Sequence, residues 1–143
     1  MDSPDAERKA GGRTHKAQSR LFRNERAFQD EVISNATELG WLVGFTYDSR
    51  KSRAGEPDLR MVHKATGRVV FAELKLSENA KLTPGRLGGV NGTVWLDGQD
   101  DWANALERSN VEFYLWKPSH YESGEILEVL TTDMQCQIPE SER

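Results

Sequence analysis

Apolar residues at helical spacing form the first clear pattern in the chain. They recur every three or four positions, which is the periodicity of one face of an α-helix. Asn24 stands before them as a candidate N-cap, and Gly40 follows them as a stop signal. The sequence therefore predicts a helix whose buried face is formed by Phe28, Val32, Ala36 and Leu39.

Three strand-like segments follow this helix. WLVGFTYDS (41–49) mixes aromatic and β-branched residues in the manner of a strand. DLRMVH (58–63) and RVVFAELKL (68–76) predict two further strands, which the turn KATG joins. The polar segment RKSRAGEP (50–57) predicts a loop between the first strand and the second.

A glycine-rich segment separates these strands from the next helix. Residues 81–98 contain five of the twelve glycines and predict a long loop, with or without a short hairpin. QDDWANALERS (99–109) predicts a short helix, with its acids in the first turn where the helix dipole favours them. Its apolar stripe consists of Trp102, Leu106 and either Ala103 or Ala105.

The C-terminal part completes the set of elements. VEFYLWKP (111–118) predicts a buried strand ended by Pro118, and EILEVL (125–130) predicts a terminal strand or a short helix. The order helix, strand, strand, strand, helix, strand is typical of a small α/β domain with helices against a mixed central β-sheet.

Length and charge divide the chain into one domain and two tails. Its 143 residues suffice for a single core. Residues 1–20 lack apolar periodicity and predict a disordered basic arm, residues 21–134 the domain, and residues 135–143 a C-terminal tail. The net charge is +3 over residues 1–26 and −7 over the remainder. Overall acidity disfavours a passive nucleic-acid coat, but not an enzyme with local basic patches.

Composition also excludes some classes of protein. No apolar run approaches the ~20 residues that span a bilayer, and the N-terminus has no apolar signal region, so we expect a cytoplasmic protein without membrane contact. The single Cys136 has no partner for a disulfide and no neighbours at zinc-ligand spacing.

Three charged residues lie where the two hairpin strands meet. Strand side chains alternate between faces, so Glu73 and Lys75 share a face with Phe71. If KATG closes a loop of even length, Asp58 lies opposite Glu73 or Lys75 on the neighbouring strand. Alternatively, Asp58 caps a turn, and Glu73 and Lys75 belong to a solvated strand face.

Two converging carboxylates indicate a metal site. At ~4 to 5 Å they repel by roughly 3 to 4 kcal/mol at an effective dielectric of about 20, which a divalent cation reverses. Oxygen ligands without Cys or His favour Mg²⁺ or Mn²⁺. Lys75 would orient and deprotonate a water molecule or stabilise charge on a phosphorane, so the set suits phosphodiester hydrolysis.

These residues also resemble a known family. EPDL (56–59), followed by ELK (73–75), resembles the PD-(D/E)XK nuclease superfamily, and the wider context resembles its VRR-NUC branch. The shared features are a helix Glu three residues before FQ, the DSRKSRAGEPDL approach, VVFAELK, KLTP, a Gln-x-x-Trp-x-x-x-Leu helix and YLWKP. The resemblance implies a restriction-endonuclease-like fold and a metal-dependent endonuclease.

The resemblance also implies further site residues. It implies a metal-binding Glu on the first helix, which would be Glu25 because Glu31 lies off the apolar stripe. It adds the Leu74 carbonyl as a metal ligand and Gln99 as a catalytic residue. Glu25 and Gln99 can also be read as ordinary first-turn residues, and the insert GRLGGVNGTVWLDG (85–98) separates Gln99 from KLTP, unlike the family pattern.

Several residues around this set are candidates for DNA contact. Trp95, in the glycine-rich segment, could stack on a base or wedge at a junction. The basic candidates are Arg50, Lys51, Arg53, Lys81 and Arg86, of which the first three can also form a solvated charge run.

The resemblance gives the most specific expectation for function. Stand-alone members of this size are expected to be homodimers that cut branched DNA such as Holliday junctions, in bacterial or phage-infected cells. The alternatives are a nuclease for flaps, nicks or duplex DNA, and a non-cleaving DNA-binding accessory factor of the same fold.

Overall fold

The computed structural model describes residues 21–47 and 55–137 of the chain. The predicted basic arm, the loop that holds Arg50, Lys51 and Arg53, and residues 138–143 lie outside these ranges. In chain order the elements are α1 (Glu25–Glu38), β1 (Trp41–Phe45), β2 (Leu59–His63), β3 (Val69–Leu74), β4 (Arg86–Gly88), β5 (Val94–Leu96), α2 (Gln99–Glu107), β6 (Glu112–Trp116), α3 (Pro118–Glu122) and α4 (Glu125–Gln137).

A four-stranded mixed sheet forms the centre of the molecule. Its strand order is β1-β2-β3-β6. The β1–β2 and β2–β3 pairs are antiparallel, and β3–β6 is parallel. β4 and β5 form a separate antiparallel hairpin. The predicted α/β class and mixed sheet are confirmed.

Helix α1 forms as its sequence predicts. The Asn24 side chain accepts a hydrogen bond of 2.8 Å from the Ala27 N–H, so it caps the helix. Gly40 follows the C-terminus with a φ of 97°, a conformation that glycine adopts without strain. Three members of the predicted stripe, Phe28, Val32 and Ala36, are fully buried, and Leu39 packs against the same core.

The core lies between one face of the sheet and helices α1 and α4. The sheet contributes mainly residues from β1, β2 and β3, and α4 contributes Ile126 and Leu130. The Trp41 indole N–H donates a 3.1 Å hydrogen bond to the Leu130 carbonyl, which fixes α4 over β1. The buried sheet residues are Trp41, Leu59, Met61, Val70, Ala72, Leu74 and Trp116.

The C-terminal third differs from the prediction. EILEVL lies in helix α4, because Ile126, Val129 and Leu130 share one helical face, and the helix continues past residue 135 to Gln137. Helix α3 was not predicted. β6 is an edge strand whose only buried residue is Trp116, so the prediction of a buried strand is wrong.

The remaining elements agree more closely with the prediction. The glycine-rich segment contains a short hairpin, which selects one of the two predicted alternatives. Helix α2 keeps its apolar stripe only half-buried, since Trp102 and Leu106 are both partly exposed. Within the described ranges, no helix is both long enough and apolar enough to cross a membrane.

Candidate active site

The β2–β3 hairpin aligns the predicted acidic residues. Leu59 pairs with Ala72 and Val62 with Val69, so the loop between the strands is even in length. One step further along this register, Asp58 lies opposite Glu73, which selects that alternative over Lys75. The Asp58 Oδ2 accepts a 3.0 Å hydrogen bond from the Leu74 N–H, which anchors the carboxylate at the end of the hairpin.

An open cavity of about 330 Å³ lies at this end of the sheet. Five predicted side chains line it together, although they come from α1, the segment before β2, β3 with the residue after it, and α2. They are Glu25, Asp58, Glu73, Lys75 and Gln99.

Glu73 is the least exposed carboxyl group of the cavity. Its side chain is 5% exposed, and its Oε1 has no hydrogen-bond partner in the described part of the protein. Its Oε2 accepts a 2.6 Å hydrogen bond from Gln99 Nε2 and lies 4.0 Å from Lys75 Nζ. Burial, with the Asp58 charge adding to it, raises the pKa of Glu73 to about 8.

The other two acids are shifted in the same direction. Burial raises the pKa of Asp58, against the opposing hydrogen bond from the Leu74 N–H and the charge of Lys75. Glu25 is exposed at the rim, and partial burial followed by the Asp58 charge raises its pKa. For all three carboxyl groups burial is the largest cause of the raised pKa, and the charge of Lys75 does not offset it.

The Gln99 side chain is held at both ends. Its Nε2 donates to Glu73, and its Oε1 accepts a 2.7 Å hydrogen bond from the Thr83 N–H. The insert between Thr83 and Gln99 therefore loops out and returns to its starting point. Gly98 makes this return possible, because a Cβ there would lie 2.3 Å from the Gly85 nitrogen.

Two residues implied by the resemblance occupy different settings. The Leu74 side chain is buried on the core face and its N–H donates to Asp58, while the metal-ligand role of its carbonyl stays a prediction. Glu31 accepts a 2.7 Å hydrogen bond from the Tyr121 hydroxyl, on the side of α1 that faces α3. Glu25, by contrast, lines the cavity, as the helical phase predicted.

The candidate DNA-contact residues that the structure describes do not line the cavity. Lys81, Arg86 and Trp95 are exposed, the last two in the β4–β5 hairpin. The Trp95 indole N–H donates a 3.1 Å hydrogen bond to Asp101 Oδ2. Arg50, Lys51 and Arg53 fall in the segment that the structure does not describe, so their roles stay predictions.

The sequence analysis missed an aromatic and cationic pair at the rim. The Arg26 guanidinium carbon lies 4.0 Å from the centroid of the Tyr47 ring, and both residues line the cavity. Gln29, one helical turn after Glu25, is buried and donates a 3.2 Å hydrogen bond to the Thr46 carbonyl. Its spacing from Glu25 was the available signal. No sequence signal indicated Tyr47, because its position depends on where β1 ends.

The donor set suits a divalent cation, but it is not assembled around one. Over residues 21–47 and 55–137, no three His, Cys, Asp or Glu side chains are grouped closely enough to hold a metal ion. Part of the reason is visible, since Glu73 Oε2 is bound by Gln99 and the Glu25 carboxylate accepts from the Leu76 N–H. The unpartnered Glu73 Oε1 is an oxygen donor of the kind that Mg²⁺ and Mn²⁺ prefer.

Comparison with known proteins adds no relative. No family model matches the chain, and neither a curated protein nor a solved structure matches it significantly. The resemblance to the nuclease superfamily therefore stays an expectation from the short sequence motifs.

Proposed function

We propose that the protein is an Mg²⁺- or Mn²⁺-dependent DNA endonuclease of the VRR-NUC type, with a restriction-endonuclease-like fold. The observation that carries the proposal is the buried Glu73 with its unpartnered Oε1, beside Asp58 and Lys75 in an open cavity. The proposed substrate is branched DNA such as a Holliday junction, cut by a homodimer in the cytoplasm. A dimer supplies two active sites for two strands.

A purely structural role explains this arrangement poorly. An unpaired buried polar atom costs about 1 to 3 kcal/mol, more if it is charged. A structural site would be expected to pair Glu73 with an arginine, as the sheet does for Glu112, whose carboxylate binds Arg68 at 2.5 and 2.6 Å. Sites that retain such a cost are often functional.

The acids would be the metal ligands. Asp58, Glu73 and Glu25 provide carboxylate oxygens, with the Leu74 carbonyl as a further donor, and Gln99 orients Glu73. A bound divalent cation would supply charge neutralisation at the phosphate and make water more acidic. Binding would relieve the upward pKa shifts of all three acids.

Two basic side chains of the cavity are available to bind the substrate. Of the described charged residues that line the cavity, four are acids (Glu25, Glu56, Asp58 and Glu73), and Lys75 and Arg26 are basic. Lys75, beside Glu73, lies where an ammonium group can stabilise negative charge that develops on a phosphorane. Arg26, stacked on Tyr47 at the rim, can hold a neighbouring phosphate of the strand.

A cleavage assay tests this proposal. Purified protein is incubated with end-labelled four-way, flap, nicked and linear DNA in Mg²⁺ and in Mn²⁺. We expect metal-dependent cuts in the wild type, and losses of at least about a hundredfold in Asp58→Ala, Glu73→Ala and Lys75→Ala, with DNA binding retained. Wild-type binding without cleavage in either metal would favour the non-cleaving accessory factor.

A further inference from the structure

The β4–β5 hairpin carries exposed apolar side chains that the proposed chemistry does not use. Leu87 is 60% exposed, Val94 55% and Val90 fully exposed. They occupy one short element, whose turn contains Gly89 and Gly92 at positive φ. Leu87 pairs with Trp95 and Val94 with Gly88, so Leu87 and Val94 lie on opposite faces of the hairpin. Exposed apolar residues concentrated in one element mark a contact surface more often than scattered ones do.

The base of this hairpin is fixed beside the candidate active site. The Gly85 N–H donates to Asp100 Oδ1 at 3.0 Å, and the Gly98 N–H donates to Asp101 Oδ2 at 2.9 Å. Asp101 also accepts from the Trp95 indole. These bonds adjoin Thr83 and Gln99, which line the cavity. The base of the hairpin is therefore fixed next to the cavity.

The charge of the hairpin favours a polyanion as its partner. Residues 85–96 contain Arg86 and no acidic residue, and the nearest acids, Asp97, Asp100 and Asp101, follow at the base of the hairpin; residues 27–143 as a whole carry a net charge of −7. Apolar side chains that flank a cation are the combination with which proteins enter stacked bases. DNA thus fits this surface better than a second acidic copy of the chain does.

We propose that the hairpin is a wedge that enters DNA at a branch point and separates the bases there with Leu87, Val90 and Val94. This inference rests on the proposed nuclease function and adds how the branch point is recognised, since a continuous duplex resists entry. Val90 lies five positions after Gly85, which gives a reach of about 17 Å at roughly 3.4 Å per strand residue. The cut should therefore fall close to the branch.

The test uses the full chain and a branched DNA with 2-aminopurine next to the branch point. Fluorescence is measured with a chelator present, so that binding is observed without cleavage. The variant is Leu87→Thr with Val90→Thr, and the matched control is Leu42→Thr with Val62→Thr, an exposed cross-strand pair on β1 and β2. Cleavage of branched and linear DNA is then compared in Mn²⁺.

We expect the wild type and the control to raise the fluorescence, and the hairpin variant to lose most of this rise. Its ratio of branched to linear cleavage should fall by about tenfold, the effect of losing burial for two aliphatic side chains. Equal behaviour of the hairpin variant and the control would overturn the wedge. So would a halved sedimentation mass in the hairpin variant, because the hairpin would then join two copies.

Different results would overturn the wedge proposal and the nuclease proposal. Cleavage by the wild type without any fluorescence rise would overturn the wedge and leave the nuclease in place. A fluorescence rise that the hairpin variant loses, in a protein that cuts no DNA, would keep the wedge and overturn the nuclease.

Discussion

Glu73 shows how much a single residue can reveal about a site. Its carboxyl group lies at the end of β3, nearly inaccessible to solvent, with one oxygen bound by Gln99 and the other without a partner. Because burial raises the pKa of Glu73 to about 8 and also raises that of Asp58, these two neighbouring carboxyl groups together hold a proton at neutral pH in the metal-free protein.

The pH dependence of stability should report this proton. Between the ordinary glutamate pKa of 4.5 and about 8, folded Glu73 is protonated and unfolded Glu73 is not. The free energy of unfolding of the metal-free protein should therefore fall as pH rises through this window, by up to about 1.4 kcal/mol per pH unit, and level off above it. Glu73→Gln should flatten the slope.

Urea denaturation across the window, in the presence of a chelator, measures this slope. Glu122→Gln, a change at an exposed position on α3, is the control and should keep the wild-type slope. An unchanged slope in Glu73→Gln would show that the proton is bound elsewhere.

The choice between the two helix acids gives a second prediction. Glu25→Gln should lower metal-dependent cleavage by roughly ten- to a hundredfold, because the carboxylate lines the cavity. Glu31→Gln should leave cleavage within about twofold, since its partner is the Tyr121 hydroxyl and an amide oxygen can still accept that bond. Rates at saturating DNA decide between them. The reverse order would remove Glu25 from the site.

Among the elements, the glycine-rich insert shows most clearly that the site depends on backbone geometry. At Gly98 an added Cβ would lie within 2.5 Å of backbone atoms of Thr83, Pro84 and Gly85. Gly98→Ala should therefore push the two arms of the insert apart and move Gln99 from Glu73. We expect at least about tenfold slower cleavage and a lower melting temperature.

Gly44→Ala is the matched control for this change. A Cβ at Gly44 meets its nearest neighbour, the Arg60 side chain, at 3.6 Å, which is an ordinary contact. Wild-type cleavage in Gly98→Ala would mean that the position of Gln99 does not matter for the reaction.

Elements with a clear period and clear end signals were predictable from the sequence. α1 had both, and an even KATG loop limited the residue opposite Asp58 to Glu73 or Lys75, between which the observed register selects Glu73. EILEVL was ambiguous because a six-residue apolar segment fits a strand and a helix equally. The burial of α4 over β1 decides for the helix, and this contact is long-range.

The cavity was predictable only in part, for a related reason. Asp58, Glu73 and Lys75 belong to one hairpin, so local pairing brings them together. Tyr47 and Thr83 reach the cavity from loops, whose paths are set by contacts distant in sequence. The pairing of Gln99 with Thr83 across the insert could not be read from spacing, because the insert separates them.

For the molecule as a whole, the uneven charge predicts that the basic N-terminal arm contributes to DNA binding, while the rest of the chain carries out cleavage. The first 26 residues carry a net charge of +3 and the rest carries −7. Deleting residues 1–20 should weaken DNA binding and flatten its salt dependence, because phosphate neutralisation sets that slope. Cleavage at saturating DNA should stay similar.

Affinities of both proteins between low and moderate salt measure the effect. Equal slopes would show that the arm makes no phosphate contacts. Lost cleavage at saturation would show that the arm belongs to the domain or to a contact between subunits.

The most direct measurement of the central claim is a calorimetric titration of the protein with Mn²⁺ at neutral pH, in two buffers of different ionisation enthalpy. If the cavity is a metal site, Mn²⁺ must displace the proton of Glu73, so binding should release about one proton. Metal at about ten times its dissociation constant should also stabilise the fold by about 1.4 kcal/mol. Asp58→Asn should weaken binding strongly. Absence of binding heat in both buffers, or wild-type binding by Asp58→Asn, would contradict the site described here.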